Sequence, residues 1–158
     1  MKLNIKLLLA VSAPLVCIAY ADANAGETIS EAGTMACVAD KWNETEKEKG
    51  HKLVESSVRC VLIPDNPAAP KVTEVCPGNY EYLPDGSWKS TGTCTDTYPG
   101  GDTVTVAWEE GSHLKEYTYK NTGGTGKFKG ATGGGTYMYE NLTDTLSGGR
   151  FKGTIVLP

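Results

Sequence analysis

Gly123-Gly124-Thr125-Gly126-Lys127-Phe128-Lys129-Gly130-Ala131-Thr132-Gly133-Gly134-Gly135-Thr136-Tyr137 is the stretch on which the fold of this chain turns. Glycine in a helix interior costs about 1 kcal/mol against alanine, so a segment this rich in it is not helical. Its glycines are also too regularly placed for a floppy linker. The stretch reads as a connection between two strands in which backbones pass close together. Phosphate-binding readings fail in detail. A Walker loop needs Ser or Thr after Gly-Lys, but Phe128 follows Gly126-Lys127, and Asn121 stands where the first glycine belongs. A dinucleotide fingerprint needs G-x-G-x-x-G ahead of a helix; here Gly130 comes one residue late and a strand pattern follows.

Outward from this stretch, apolar and polar residues alternate with a period of two, which marks strands. Residues 35–43 and 51–63 are predicted strands around the charged segment 44–50, expected as a turn. Residues 71–83 and 88–95 flank Pro84-Asp85-Gly86-Ser87, where proline presets φ and glycine accepts positive φ. Between these pairs lies 64–70, a loop with three prolines. Residues 103–109 place Val104, Val106 and Trp108 on one face and Thr103, Thr105 and Glu109 on the other. Glu110-Gly111-Ser112 reads as a turn, and 113–120 sets Tyr117 and Tyr119 on a common face. Residues 136–142 and 149–157 complete eight strands, the last with Phe151, Ile155 and Leu157 on one side. Short strands separated by turns, with no long helix, describe an up-and-down barrel or a sandwich. Eight strands can close and so remove every edge. Their interior is then filled by side chains or wide enough for one small ligand. An outer-membrane barrel is excluded by the short strands and the charged outward residues Lys115, Lys120, Lys127 and Lys129.

The 158-residue chain opens with Lys2 and Lys6, an apolar run over 7–20, and the small-x-small sites Ala21-Asp22-Ala23 and Ala23-Asn24-Ala25. That is the layout of a secretory signal peptide, and the run is too short to span a bilayer. The expected organisation is a signal peptide over 1–25, a flexible N-terminal arm over 26–34, and one β-barrel domain over 35–158, secreted or periplasmic. The formal charge is −4, and loss of two lysines and one aspartate makes it more negative by one. An acidic chain without a basic cluster argues against nucleic acid, and against a membrane once the signal is gone.

Cys17 leaves with the signal, and Cys37, Cys60, Cys76 and Cys94 remain. An even number in an exported chain implies disulfides. The midpoint of Cys37 and Cys60 falls in the 44–50 turn, and that of Cys76 and Cys94 at Asp85. Residues equidistant from a hairpin turn face each other at about 4.5–5.5 Å between Cβ atoms, near the roughly 3.5–4.5 Å a disulfide wants. The spacing therefore predicts Cys37–Cys60 and Cys76–Cys94, one of three possible connectivities. A zinc site is disfavoured, with no C-x-x-C pair and His51 far in sequence from His113. No metal and no cofactor is expected.

The segment from Gly123 to Gly133 resembles the G-G-[ST]-G-x-[FY]-x-x-A-x-G stretch of the allene oxide cyclase-like and dirigent-like barrel families. That resemblance implies an all-β fold: a single eight-stranded antiparallel barrel of calycin type with an apolar lumen, often in homo-oligomers. The cyclases of that group are isomerases that close a ring without a cofactor. Dirigent proteins steer radical coupling without catalysing the oxidation. Both confine a reactive apolar ligand, and no functional residue of either is carried over here.

From alternation, Trp108, Tyr117, Tyr119, Tyr137 and Phe151 are candidates to line a lumen, with Tyr80, Tyr82 and Tyr139 possible companions. Tyrosine and tryptophan have polar tips that need partners when buried, and aromatic walls with a few polar tips suit small ligands. Glu109, Glu140 and Tyr139 are weak acid–base candidates, since a carboxylate inside an apolar barrel would have its pKa raised. Three functions remain open: a cofactor-free isomerase, cyclase or guide acting on a small apolar molecule; a carrier of such a molecule; or an interaction protein with a filled barrel. A cavity bearing an ionisable group would favour the first, an apolar cavity the second, and a filled lumen the third.

Overall fold

A computed structural model describes residues 26–158; the expected signal peptide, 1–25, lies outside the described residues. The strands are Thr28–Glu48 (β1), His51–Pro64 (β2), Val72–Tyr82 (β3), Trp88–Thr97 (β4), Thr103–Gly111 (β5), Tyr117–Gly124 (β6), Thr132–Asn141 (β7) and Leu146–Val156 (β8). Each pairs antiparallel with the next, and β1 closes on β8, giving a closed eight-stranded barrel rather than a sandwich. A 3-10 turn over Gly126–Phe128 is the sole helical element among the described residues.

Two expectations along β1 are corrected. The arm over 26–34 is mostly strand: Thr28 pairs with Val156 and the ladder continues through Thr34 and Arg150. The segment is sparse in apolar residues, and the ladder supplied by β8 is what makes it strand. Ile29, Glu31 and Gly33 face inward, and Gly33 is bare because Phe151 lies across it; a Cβ there would come within 2.8 Å of the ring. The charged segment 44–50 also belongs largely to β1, and only Lys49-Gly50 turns. Its charges are accommodated in cross-strand pairs, such as Lys52 with Glu44. Farther down the same hairpin, outward-facing Arg59 pairs with Asp40.

The glycine-rich stretch is shared between elements. Gly123 and Gly124 end β6, residues 132–137 open β7, and the connection shrinks to 125–131. Backbones do pass close together: a Cβ on Gly135 would lie 2.0 Å from the Lys152 carbonyl oxygen. Gly126 takes φ 56°, and the Asp102 carboxylate occupies the space a Cβ would need. Asp102 accepts a hydrogen bond from the Lys127 amide at 3.3 Å, which anchors the turn to the end of the β4–β5 connection. The turn drives Phe128 into the barrel, where it is 1% exposed among Val104, Ala131 and Ile155, with Tyr98 at 4.4 Å between ring centroids. This end of the barrel is plugged.

Both disulfides form as spaced, Cys37–Cys60 across β1–β2 and Cys76–Cys94 across β3–β4. Their loops span 23 and 18 residues, and each staples one hairpin of the wall.

Candidate functional site: the barrel lumen

Between the Phe128 plug and the opposite end lies a cavity of about 390 Å³. It reaches from Asp144 and Thr145, in the β7–β8 turn, down to Glu31, Glu74 and Asp96. Its upper wall is aromatic. Trp42 of β1 packs on Tyr80 of β3 at 5.0 Å, and Tyr80 also meets Trp88 of β4 at 5.9 Å and Trp108 of β5 at 6.3 Å. Trp108 sits where it does because the facing wall is cut away. Gly78 and Gly92 are cross-strand partners, and a Cβ on either would lie 2.4 Å from Trp108 Cζ2.

Trp108, Tyr119, Tyr137 and Phe151 line the cavity. Tyr117 shares their face but does not line the cavity; it packs against Trp88, Tyr137 and Tyr139. Tyr139 points inward, whereas Glu109 and Glu140 stand on the exposed outer surface. Those two carboxylates are corrected as site candidates for one reason: each is one residue from an inward aromatic, Trp108 or Tyr139, and a strand turns successive side chains to opposite faces.

The inward carboxylates are others. Glu110 is 4% exposed and accepts hydrogen bonds from Tyr137 at 2.8 Å, Tyr139 at 2.9 Å and Tyr80 at 3.3 Å. Burial pushes its pKa up, and the three phenols partly hold it down. Burial and the Glu110 charge push the tyrosines upward in turn, so all three remain protonated donors. Toward the plugged end, Glu74 and Asp96 oppose each other directly on β3 and β4, with Glu31 of β1 nearby. Tyr98 donates to Glu31 at 3.2 Å. Burial is the main force raising the pKa of all three, and mutual repulsion raises Asp96 further. Glu74 and Asp96 therefore retain a proton between them around neutral pH. Asp96 is 7% exposed and its Oδ1 has no hydrogen-bond partner. The indole N–H of Trp108 is unpartnered too.

A sequence signal for these carboxylates existed. The inward series Val104, Val106, Trp108 extends by two to Glu110, which a turn reading of 110–112 conceals. Glu74 precedes Cys76 by two and Asp96 follows Cys94 by two, so a disulfide inside the wall brings both carboxyls to the lumen face. Glu74 also lies close enough to the Cys76 and Cys94 sulfurs to suggest a metal centre, but those sulfurs are joined to each other and offer no thiolate.

No protein-family model and no curated protein matches the sequence. Among solved structures, the chain is similar to the pterocarpan synthase dirigent protein GePTS1, with a TM-score of 0.59 and 10% identity over 97% of this chain and 99% of that one. It is likewise similar to the pterocarpan synthase dirigent protein PsPTS1, with a TM-score of 0.52 and 12% identity over 83% of this chain and 94% of that one. At such identities the likeness is one of architecture, and the chain has the dirigent-type eight-stranded barrel fold.

Proposed function

We propose that this protein is an exported, cofactor-free guide or isomerase that takes a small, largely apolar molecule into the barrel lumen and moves a proton to or from it there. The observation that carries the reading is the Glu74–Asp96 pair, two buried carboxyls holding a proton at the floor of an aromatic cavity. A cavity argues against a filled interaction barrel, and ionisable groups inside it argue against a passive carrier. Two disulfides support export to an oxidising compartment, periplasmic or extracellular.

The division of labour follows from the geometry. The aromatic wall binds and orients the ligand and excludes water, which strengthens every charge interaction inside. Asp96 lines the floor of the cavity, its carboxyl hydrogen-bonded to that of Glu74. Its neighbour Glu74 lies directly opposite, so one carboxyl exchanges a proton with the ligand while the other stabilises developing positive charge. Glu110, satisfied by three tyrosines, fixes the upper wall and keeps the phenols aimed inward.

The test is proton exchange. The protein is incubated in D₂O with a panel of small aromatic ketones and phenols, with chelator present, and followed by NMR for deuterium incorporation or isomerisation. Turnover falling about 10²–10⁴-fold in Asp96→Asn, with tryptophan quenching by the same ligand retained, is the expected result. Ligand binding with no exchange or isomerisation would leave a carrier, and unchanged turnover in both Asp96→Asn and Glu74→Gln would remove the pair from the reaction.

A further inference from the structure

We propose that the molecule taken into this lumen carries positive charge: an organic ammonium group on an apolar or aromatic body. This rests on the reading that the lumen holds a small molecule, and it narrows the class.

The lining is one-signed. Glu31, Glu74, Asp96 and Glu110 face the cavity and Asp144 stands at its rim, while no lysine, arginine or histidine lines it among the described residues. Basic residues do occur on the strands that build the aromatic wall, but they are engaged elsewhere. Lys52 pairs with Glu44, and Lys89 and His51 pair with Glu81. An anionic ligand would enter a low-dielectric space lined by carboxyls with no counter-charge, which the protein could not compensate. A cation meets the opposite situation. Trp42, Tyr80, Tyr82, Trp88 and Trp108 line the cavity, and aromatic faces attract cations, most strongly when both are desolvated. Glu74 and Asp96, directly opposite each other on β3 and β4, bring two carboxyls to the cavity floor, where an ammonium group would find acceptors.

Proton linkage follows. The groups facing the Glu74–Asp96 pair are Glu31 from β1 and the phenols Tyr98 and Tyr119; those facing Glu110 are Tyr80, Tyr137 and Tyr139. None can supply positive charge. A bound cation therefore favours the ionised carboxylates and expels the retained proton, so its affinity rises with pH until the pair is ionised. A neutral ligand of the same shape lacks that dependence.

The experiment compares three ligands with one body on the chain lacking residues 1–25: 3-phenylpropan-1-amine, 3-phenylpropan-1-ol and 3-phenylpropanoate. Tryptophan fluorescence and calorimetry are recorded between pH 5 and pH 8. The amine is expected to bind about tenfold or more tighter than the alcohol at pH 8. The carboxylate is expected to bind weakest, and the amine's advantage to shrink toward pH 5. Calorimetry in buffers of different ionisation enthalpy should register proton release with the amine alone. Glu74→Gln, which preserves shape and removes one charge from the lining, should weaken the amine several-fold more than the alcohol. If the alcohol equals or exceeds the amine at every pH, the charge assignment falls while the lumen remains a binding site. If none of the three binds, both fall together.

Discussion

Gly92 is the residue that most directly shapes the lumen. It pairs with Gly78 across β3–β4 and with Trp108 across β4–β5, and a Cβ on it would lie 2.4 Å from both the Pro77 carbonyl oxygen and Trp108 Cζ2. Backbone on one side and a buried indole on the other leave no direction for relief. Gly92→Ala should therefore cost about 1–3 kcal/mol, the usual range for overpacking. Urea unfolding measures the loss, and a changed near-UV circular dichroism spectrum would register displacement of Trp108. An unchanged midpoint and spectrum would mean that Trp108 is not held against this glycine. Glu110 makes the complementary case. Glu110→Ala strips the acceptor from three phenols at once, each buried enough to feel the loss. A destabilisation of roughly 2–4 kcal/mol is expected, with a smaller effect for Glu110→Gln, which keeps one carbonyl acceptor.

At the scale of elements, the glycine-rich connection does more than let backbones pass. Its 3-10 turn inserts Phe128 as the plug, and Lys127 Nζ lies 4.8 Å from the centre of that ring. Phe128→Ala should cost about 3–5 kcal/mol and open the closed end of the barrel to water. Thermal unfolding and a fluorescent apolar probe would report the two effects, and a loss below 1 kcal/mol would show that the barrel closes without the plug. The barrel and its hairpin staples were legible because they rest on local rules: period-two alternation, turn chemistry, and cysteines equidistant from turns. Elements that depend on partners were not. Thr28–Thr34 has few apolar residues, and it becomes strand only because β8 supplies a ladder for it. The last residues of β1 are highly charged, and ion pairs with β2 hold them extended. The lumen aromatics followed from alternation on β5 and β6, but the acid groups were obscured. A buried carboxylate contradicts the expectation that charged residues face water, and only the face assignment of neighbouring Trp108 or Cys76 reveals it.

For the whole molecule, these buried acids set the dependence of stability on pH. Glu31, Glu74, Asp96 and Glu110 all have pKa values raised by folding, with burial the first cause in each. In the unfolded chain they titrate near about 3.9 and 4.3. Between those values and the raised native ones, the native state binds more protons than the unfolded state, so stability falls as pH rises. Their contribution is fully present below the unfolded pKa values and is lost as pH climbs through the folded ones. The exposed carboxylates Asp40, Glu44, Glu81, Asp85 and Glu116 act with the opposite sign. Hydrogen bonds and cationic partners lower their pKa values, so they favour folding above the unfolded range and lose that contribution as pH falls. Solvent screens them, whereas the lumen groups are shielded. Stability is thus expected to peak in mild acid and to decline toward pH 9. Glu74→Gln removes one member of the opposed pair while preserving its shape, and leaves Asp96 without its strongest like-charge neighbour. The variant should show a shallower decline and be more stable than the parent at pH 8 by on the order of 1–3 kcal/mol, with little difference near pH 4. Urea midpoints measured from pH 4 to pH 9, at low and at high salt, check this. The slope for the parent chain should persist at 1 M salt, because its source is burial rather than surface repulsion. A parent chain whose stability rises from pH 5 to pH 8, or a Glu74→Gln variant with an equally steep decline, would show that the carboxyls at the floor of the lumen are ionised in the native state at little cost.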